Sequence, residues 1–370
     1  MLINIQFLRF AAALLVVLYH ASSHVRATGV DQGMLFAAGE AAGFAGVDIF
    51  FVISGFIMFY TTTGERGSHS AIEFMKRRLA RIYSGYWPFF FAAIAIFYWA
   101  RPEHFTNADL FRSFVLWPQP LPHVLLDVSW TLTYEMYFYI LFSALVLIGL
   151  RPRTSLLLGM LALILGFNLY RHWGLQGFST ENLYLLGFYD QFLTSPFLIE
   201  FFAGALLASW LKPDYSRYGW LALGLGVAGF ACAGWANVAV FDGRIEQGFF
   251  VVPRVLMFGL ASVLLVAGLV LLEHSARVAP VRFSLLAGGA SYALYLCHTL
   301  FFIASMKMGI YSAMSDYSSF QVQVIYFLYV ALIVAFSITH YLWAEKPLHR
   351  LFKKVLWVKK STTSFTRPSI

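Results

Sequence analysis

Long apolar runs, separated by short polar connections, follow one another from the start of the sequence to about residue 343. Each run is about 20 residues long, which is the length that an α-helix needs to cross the hydrocarbon core of a bilayer. The runs are too long and too uniformly apolar for barrel strands, so we expect an all-α polytopic membrane protein. The pattern predicts ten membrane-spanning helices, at approximately residues 5–23, 42–61, 84–101, 127–150, 154–173, 190–211, 218–238, 252–273, 284–305 and 322–343.

The cationic residues fall mostly into alternate connections, and this asymmetry predicts an orientation. With a cytoplasmic N-terminus, the inner connections and the tail hold 18 of the 26 Lys and Arg residues, whereas the outer connections together with the outer ends of the spans hold six. Cationic connections stay on the cytoplasmic side of a membrane. We therefore expect both termini in the cytoplasm, a transmembrane domain over residues 1–345 and a basic cytoplasmic tail over residues 346–370.

The composition agrees with a membrane protein and argues against a soluble domain, a nucleic-acid-binding protein, a disulfide framework and a metal site. Hydrophobic residues make up 60% of the 370 positions and charged residues 12%, whereas about a quarter of the residues of a soluble domain are charged. The net charge of +8 lies beside apolar runs, so we expect anionic lipid headgroups rather than nucleic acid as its partner. Cys232 and Cys297 have no paired spacing, so neither a disulfide framework nor a metal site is expected.

No connection is long enough to form a separate catalytic domain, so we expect any chemistry to occur within or beside the helices. A charge at the centre of a bilayer costs at least about 2.5 to 3.5 kcal/mol, and each one therefore needs a partner or a function. Six ionisable residues stand out inside the predicted spans: Arg9, His20, Asp48, Glu135, Glu200 and His298.

The spacing of Arg9 and His20 puts both side chains on one face of the first helix. An offset of 11 residues corresponds to three turns plus about 20°, with an axial rise of about 16.5 Å. One helix face would then line a path across much of the membrane, suited to a long anionic ligand that enters from the cytoplasm. The alternative is that Arg9 extends to the cytoplasmic headgroups and His20 is an ordinary interfacial histidine.

Asp48, Glu135 and His298 are expected at a similar depth, near the outer ends of their spans. With His20 they would form a cluster of two imidazoles and two carboxylates, which suits proton transfer because histidine titrates near neutrality. A proton relay in a transporter has the same composition, and Glu200, near the middle of its span, fits a relay slightly better than a transferase.

The inner connection before the third span, MKRRLARIYSGYW, carries a cluster of arginines. On a helix, Arg77 and Arg81 are four residues apart and share a face, and Arg78 is adjacent. Guanidinium groups in this arrangement form forked hydrogen bonds to phosphates, so the segment is a candidate site for a nucleotide or a phosphorylated cofactor. The alternative is that these arginines only anchor the cytoplasmic side.

Seven motifs follow one another along the chain: NIQFLRFAAALLVVLYH with Arg9 and His20, GVDIFFVISGF with Asp48 and Ser54, RRLARIYSGYW with Arg77, Arg78 and Arg81, SWTLTYEMYFY with Trp130 and Glu135, SPFLIEFFAG with Glu200, GASYALYLCH with His298, and AEKPLHR with Glu345 and Pro347. In this order they resemble the acyltransferase 3 family of membrane-bound acyltransferases, particularly members that modify exopolysaccharides. One departure is Ser84, which stands where the family commonly has a proline.

The resemblance implies transfer of an acyl group, usually acetyl, from cytoplasmic acetyl-CoA to a hydroxyl of an exopolysaccharide or a lipid-linked glycan, in a bacterial-type inner membrane. Our hypothesis is that His20 acts as general base, with Glu135 or Asp48 orienting or charging it. A covalent acyl-histidine is the less favoured variant. Acetyl-CoA would be held by Arg9, Arg77, Arg78 and Arg81, and the acceptor would contact Trp130, Glu200 and His298. No metal is expected in this chemistry.

Two other classes of function remain open from the residues alone. A proton-coupled transporter or flippase of a lipid-linked sugar would use the same buried charges without consuming a thioester. A membrane scaffold for polysaccharide assembly would tolerate their neutralisation.

Overall fold

The computed structural model describes residues 2–175, 187–245, 252–310, 312–314 and 316–356. Within these ranges the regular secondary structure is helical, without β-strands. The helices are α1 (Ile3–Ala27), α2 (Gly33–Ala42), α3 (Gly46–Thr61), α4 (Ser68–Ala100), α5 (Pro102–Asn107), α6 (Leu110–Val115), α7 (Trp130–Val146), α8 (Leu150–Leu175), α9 (Phe188–Leu193), α10 (Phe197–Trp210), α11 (Gly219–Ala239), α12 (Val252–Arg254), α13 (Leu260–His274), α14 (Val281–Lys307), α15 (Ser319–His340) and α16 (Lys346–Leu356).

Nine helical segments of the described residues are long and apolar enough to cross a membrane, and each overlaps a predicted span. The remaining predicted span, 127–150, falls on α7, whose 17 residues are at the lower limit for crossing a bilayer. The expectation of an all-α polytopic membrane protein is therefore confirmed. Within the predicted tail, α16 continues the last spanning segment, and residues 357–370 lie outside the described ranges.

Small residues let the central helices approach until their backbones touch. A Cβ atom added at Gly46 of α3 would overlap the carbonyl oxygen of Ala12 in α1. A Cβ atom added at Gly55, on the same helix, would overlap the carbonyl oxygen of Phe201 in α10. Close backbone approach through small residues is a common way for helices to associate in membranes. It fixes α3, which carries Asp48, between α1 and α10.

The segment between α5 and α7 turns back into the helix bundle. Trp87 lies 13 residues before the end of α4 at Ala100, which is about 20 Å along a helix. The carbonyls in the last turn of a helix need donors from outside the regular helical pattern, and side chains of α4 supply them for α6. The bonds run from Tyr86 to the carbonyl of Ser113 (2.8 Å), from Tyr83 to Val115 (2.9 Å) and from Trp87 Nε1 to Phe114 (3.2 Å).

Two π-helical segments interrupt long helices beside buried charges. Val255–Gly259 directly follows Arg254, and Tyr341–Glu345 ends in Glu345. A π-helical turn changes the direction of the side chains around it and is frequent at functional sites. Both charged residues are buried, and each forms an ion pair with a residue on another helix.

Candidate active site

A pocket between α1, α3, α4, α7 and α14 has three arginines in its walls. Its volume is about 160 Å³. Arg9 reaches it from α1, whereas Arg78 and Arg81 reach it from α4, where their spacing of three residues puts them on one helix face. Tyr139 and Tyr292 contribute aromatic walls. The pocket therefore combines cationic and aromatic groups, which suits an anionic ligand with apolar parts.

Two of these arginines have neutral hydrogen-bond partners. Arg9 Nη1 donates to the side-chain oxygen of Gln6 at 3.3 Å. Arg78 Nη2 donates to the hydroxyl of Thr61 at 3.3 Å, and its guanidinium lies 5.5 Å from the centre of the Tyr139 ring. Because neither arginine takes part in an ion pair of the described residues, both retain donors and charge for phosphate oxygens.

The third arginine, Arg81, is held by a carboxylate. It forms an ion pair with Glu345, which is 1% exposed, and its guanidinium lies 5.3 Å from the centre of the Tyr292 ring. The two residues of the ion pair are 264 positions apart in the sequence. The sequence motif around Glu345 therefore meets the arginine motif in space and orients one of its side chains.

Arg77 lies outside the lining of this pocket. Its Nη2 donates to both carboxylate oxygens of Glu65, at 2.9 and 2.8 Å, and its side chain is 44% exposed. The helix phase explains which arginines of α4 line the pocket. Arg78 faces the pocket together with Arg81, whereas Arg77 does not. The expected arginine site is thus formed by two residues of α4 and by Arg9.

Glu135 lines the arginine pocket, whereas the sequence pattern placed it with His20. Tyr139 donates a hydrogen bond to its Oε1, and the Ser54 hydroxyl lies 3.5 Å from the same atom. The expected position was wrong because α7 is short and begins only at Trp130, after the segment that turns back into the bundle. Glu135 therefore lies at the depth of the arginines.

His20 lies on the same uninterrupted helix as Arg9, as predicted. The helix runs from Ile3 to Ala27, so the 11-residue offset again corresponds to about 16.5 Å along its axis. The His20 ring contacts the rings of Tyr19 and His298, with centroid distances of 5.0 Å in both cases. A pair of imidazoles therefore lies about three helical turns from Arg9.

Tyr295 connects the pocket to the imidazole pair. It lines the pocket, and its ring lies 5.9 Å from that of His298, three residues later on α14. Its hydroxyl donates to the carbonyl of Val128 at 3.1 Å and accepts from Thr131 at 3.0 Å. The wall of the pocket is therefore continuous with the side chains around His298.

Asp48 belongs to a different group of charges, because it pairs with Arg254. The guanidinium donates to its carboxylate from Nη2 at 2.7 Å and from Nε at 3.2 Å, and both side chains are buried. Glu200 is also buried and interacts electrostatically with both. The expected position of Asp48 beside His20 was wrong, since a buried carboxylate is most stable next to a buried cation.

Trp130 packs in an aromatic cluster at the start of α7. Its ring lies 5.5 Å from Phe197, 5.8 Å from Tyr134 and 6.3 Å from Phe51. The cluster holds α3, α7 and α10 together beside the pocket.

Among the described residues, no group of three or more His, Cys, Asp and Glu side chains is arranged to hold a metal ion.

Sequence reasoning did not single out Arg254 or Tyr295. A signal existed for each: Arg254 is a cation inside an apolar run, where its burial requires a counter-ion. Tyr295 precedes His298 by three residues and therefore shares its helix face.

A model of an acyltransferase domain matches residues 2–342 of the chain. The chain belongs to the acyltransferase 3 family. The match extends from α1 into the π-helical segment before α16, so the arginine pocket and the imidazole pair both lie within the acyltransferase 3 domain.

This acyltransferase is similar to the exopolysaccharide production protein ExoZ of Rhizobium meliloti (strain 1021). The two are 30% identical over 303 residues, which cover 75% of this chain and 84% of ExoZ. No solved structure matches the chain. Family membership and the apolar helices together show a membrane acyltransferase with multiple spans.

Proposed function

We propose that this protein transfers an acetyl group from acetyl-CoA to a hydroxyl of an exopolysaccharide or its lipid-linked precursor. The observation that carries the proposal is the arrangement along α1: Arg9 lies in a pocket with two further arginines, and His20 lies three turns away beside a second imidazole. One end of this arrangement suits phosphates, and the other end suits proton transfer to or from a hydroxyl.

The groups that line the pocket support a role in binding the phosphates of coenzyme A. Arg9 and Arg78 have neutral partners and would bind phosphate oxygens, whereas Glu345 holds Arg81 in place. Tyr139 and Tyr292 offer aromatic surfaces to the rest of the donor. Glu135 lies among these groups, so its proposed role is to balance the arginine charges and position the donor.

His20 is proposed as the general base. It removes the proton from the acceptor hydroxyl while the acceptor oxygen bonds to the thioester carbonyl carbon. The carbon–sulfur bond then breaks, and the proton passes from His20 to the departing thiolate, so that the products are the ester and the free thiol. A general base of this kind contributes about 10² to 10⁴-fold to the rate.

The proposed acceptor class rests on the similarity to ExoZ, which is named as an exopolysaccharide production protein. The proposed location is a bacterial inner membrane, with acetyl-CoA supplied from the cytoplasm and the glycan reached at the His20 end of α1. Placing donor and acceptor at opposite ends of one helix explains how an acyl group can cross much of the membrane within one protein.

The test is acetyl transfer in proteoliposomes that contain the purified protein, acetyl-labelled acetyl-CoA and the lipid-linked glycan of the host. Wild-type protein and Arg217→Ala, which changes an exposed arginine outside the pocket, are expected to label the glycan and release free coenzyme A. His20→Ala is expected to do neither at equal protein abundance. Movement of glycan across the bilayer without consumption of thioester would instead support a flippase.

A further inference from the structure

His298 is the second imidazole beside His20, and its hydrogen bonding defines which nitrogen carries the proton. Its Nδ1 lies 3.2 Å from the carbonyl oxygen of Leu294, one turn earlier on α14. A carbonyl oxygen only accepts, so Nδ1 must carry the hydrogen and the neutral ring keeps a lone pair on Nε2.

The Nε2 atom of His298 is buried and has no hydrogen-bond partner within the part of the chain that the structure describes. An unsatisfied buried acceptor costs about 1 to 3 kcal/mol, so its position calls for a donor. Of the rings around it, Phe302 has no donor and Tyr295 donates to the carbonyl of Val128. The His20 ring, at 5.0 Å between centroids, has an N–H group to offer.

We propose that His298 is a positioning residue for His20: when the substrates are bound, its Nε2 accepts the N–H of one His20 nitrogen and leaves the other His20 nitrogen as the base that faces the acceptor hydroxyl. The inference rests on the function proposed above. It assigns to an imidazole the orienting role that the sequence pattern gave to Glu135 or Asp48, both of which lie in other groups of charges.

A neutral imidazole acts on a histidine base differently from a carboxylate. A histidine base is usually held in one tautomer by an acceptor on its second nitrogen. A neutral imidazole supplies this orientation but no negative charge. His298 therefore selects the reactive tautomer of His20 without attracting its proton electrostatically.

The test compares His298→Gln with His298→Phe for kcat, for the KM of acetyl-CoA and for membrane abundance. Glutamine keeps a carbonyl acceptor, whereas phenylalanine keeps an aromatic ring and removes the acceptor. We expect His298→Gln to retain most of the wild-type kcat. His298→Phe should lower kcat by about tenfold or more, a part of the 10² to 10⁴-fold that a general base contributes, with the donor KM unchanged.

A merely structural role predicts the opposite order, because an apolar ring fills a buried site at lower cost than an amide. Activity of His298→Phe equal to or above that of His298→Gln, or equal loss in both, would overturn the proposal. If His298→Phe is not inserted at wild-type abundance, His298→Leu provides the second apolar variant for the same comparison. His274→Phe, at an exposed histidine outside the site, controls for the new ring and should match the wild type.

His20→Ala measured in the same series distinguishes a failure of the proposed function from a failure of the positioning role of His298. If His20→Ala stays active, the proposed function fails. If His20→Ala is inactive while the order of the His298 variants is reversed, only the positioning role of His298 fails.

Discussion

At the scale of single residues, the partner of each charged side chain determines what that side chain can bind. Arg77 and Arg78 are neighbours in the sequence, yet Arg77 donates to both oxygens of Glu65, whereas Arg78, which lines the pocket, donates to the neutral hydroxyl of Thr61. A guanidinium already neutralised by a carboxylate has less to gain from a phosphate than one with a neutral partner.

Arg78→Ala should therefore weaken the binding of acetyl-CoA more than Arg77→Ala does. A hydrogen bond to a charged group contributes about 1.5 to 3 kcal/mol, so we expect the KM of acetyl-CoA to rise about tenfold to hundredfold for Arg78→Ala, with the KM of the acceptor nearly unchanged. Steady-state kinetics with both substrates varied would measure this. Equal donor KM values for the two variants would show that the pocket is not where the phosphates bind.

Some site residues followed from the sequence because one helix carries them. The phase of α1 fixes the relation between Arg9 and His20 without any knowledge of other helices. The pairs Arg254–Asp48 and Arg81–Glu345 join residues 206 and 264 positions apart. Helical periodicity carries no information about which helices become neighbours, so the sequence alone did not predict these pairs or the separation of Asp48 and Glu135 from His20.

At the scale of helices, the apolar runs predicted most of the fold because lipid leaves backbone groups few alternatives to an α-helix. The exception is the segment before α7, where Pro118, Pro120 and Pro122 exclude a regular helix. Directly before this segment, the last carbonyls of α6 accept hydrogen bonds from Tyr83, Tyr86 and Trp87. The sequence shows the prolines, but it does not show that side chains of α4 would hold the end of α6.

The crossing of α3 and α10 offers a direct test of the packing. A Cβ atom at Gly55 or Gly204 would overlap a backbone carbonyl of the other helix, so Gly55→Ala and Gly204→Ala should each cost about 1 to 3 kcal/mol of stability. Thermal unfolding in detergent would measure the effect, with the fraction of protein that stays monodisperse recorded at each temperature.

Gly224→Ala in α11 is the matched control, because a Cβ atom there meets no other atom within 4 Å. Alanine also favours a helix over glycine by about 1 kcal/mol, so this variant should be as stable as the wild type or more so. Equal melting temperatures for the three variants would contradict the close crossing of α3 and α10.

At the scale of the whole molecule, different contacts mark the two ends of the helix bundle. The N-terminus of α1 lies against the end of α13, where Glu273 accepts from the backbone N–H groups of Ile3 and Asn4 at 2.8 Å. At the opposite end, Ser319 bonds to the carbonyl of Asp31. The charge asymmetry of the sequence predicts that the N-terminal end faces the cytoplasm, where acetyl-CoA would enter.

This orientation is testable with single cysteines in a chain whose Cys232 and Cys297 are replaced by alanine. Both Ser68, before the arginine segment of α4, and Ser318, at the other end of the bundle, are exposed. A membrane-impermeant thiol reagent added to intact cells should label Ser318→Cys, and it should label Ser68→Cys only after permeabilisation. The reverse pattern would place the arginine pocket on the side that lacks the donor.

The central claim is that this chain acylates a surface glycan through His20. Mass spectrometry of the host's surface polysaccharide tests it most directly, in cells that lack the protein and carry either the wild-type chain or His20→Ala at equal abundance. The account predicts an acyl group on a sugar hydroxyl with the wild-type chain, and its loss both without the protein and with His20→Ala. A polysaccharide with the same acyl content in all three strains would contradict it.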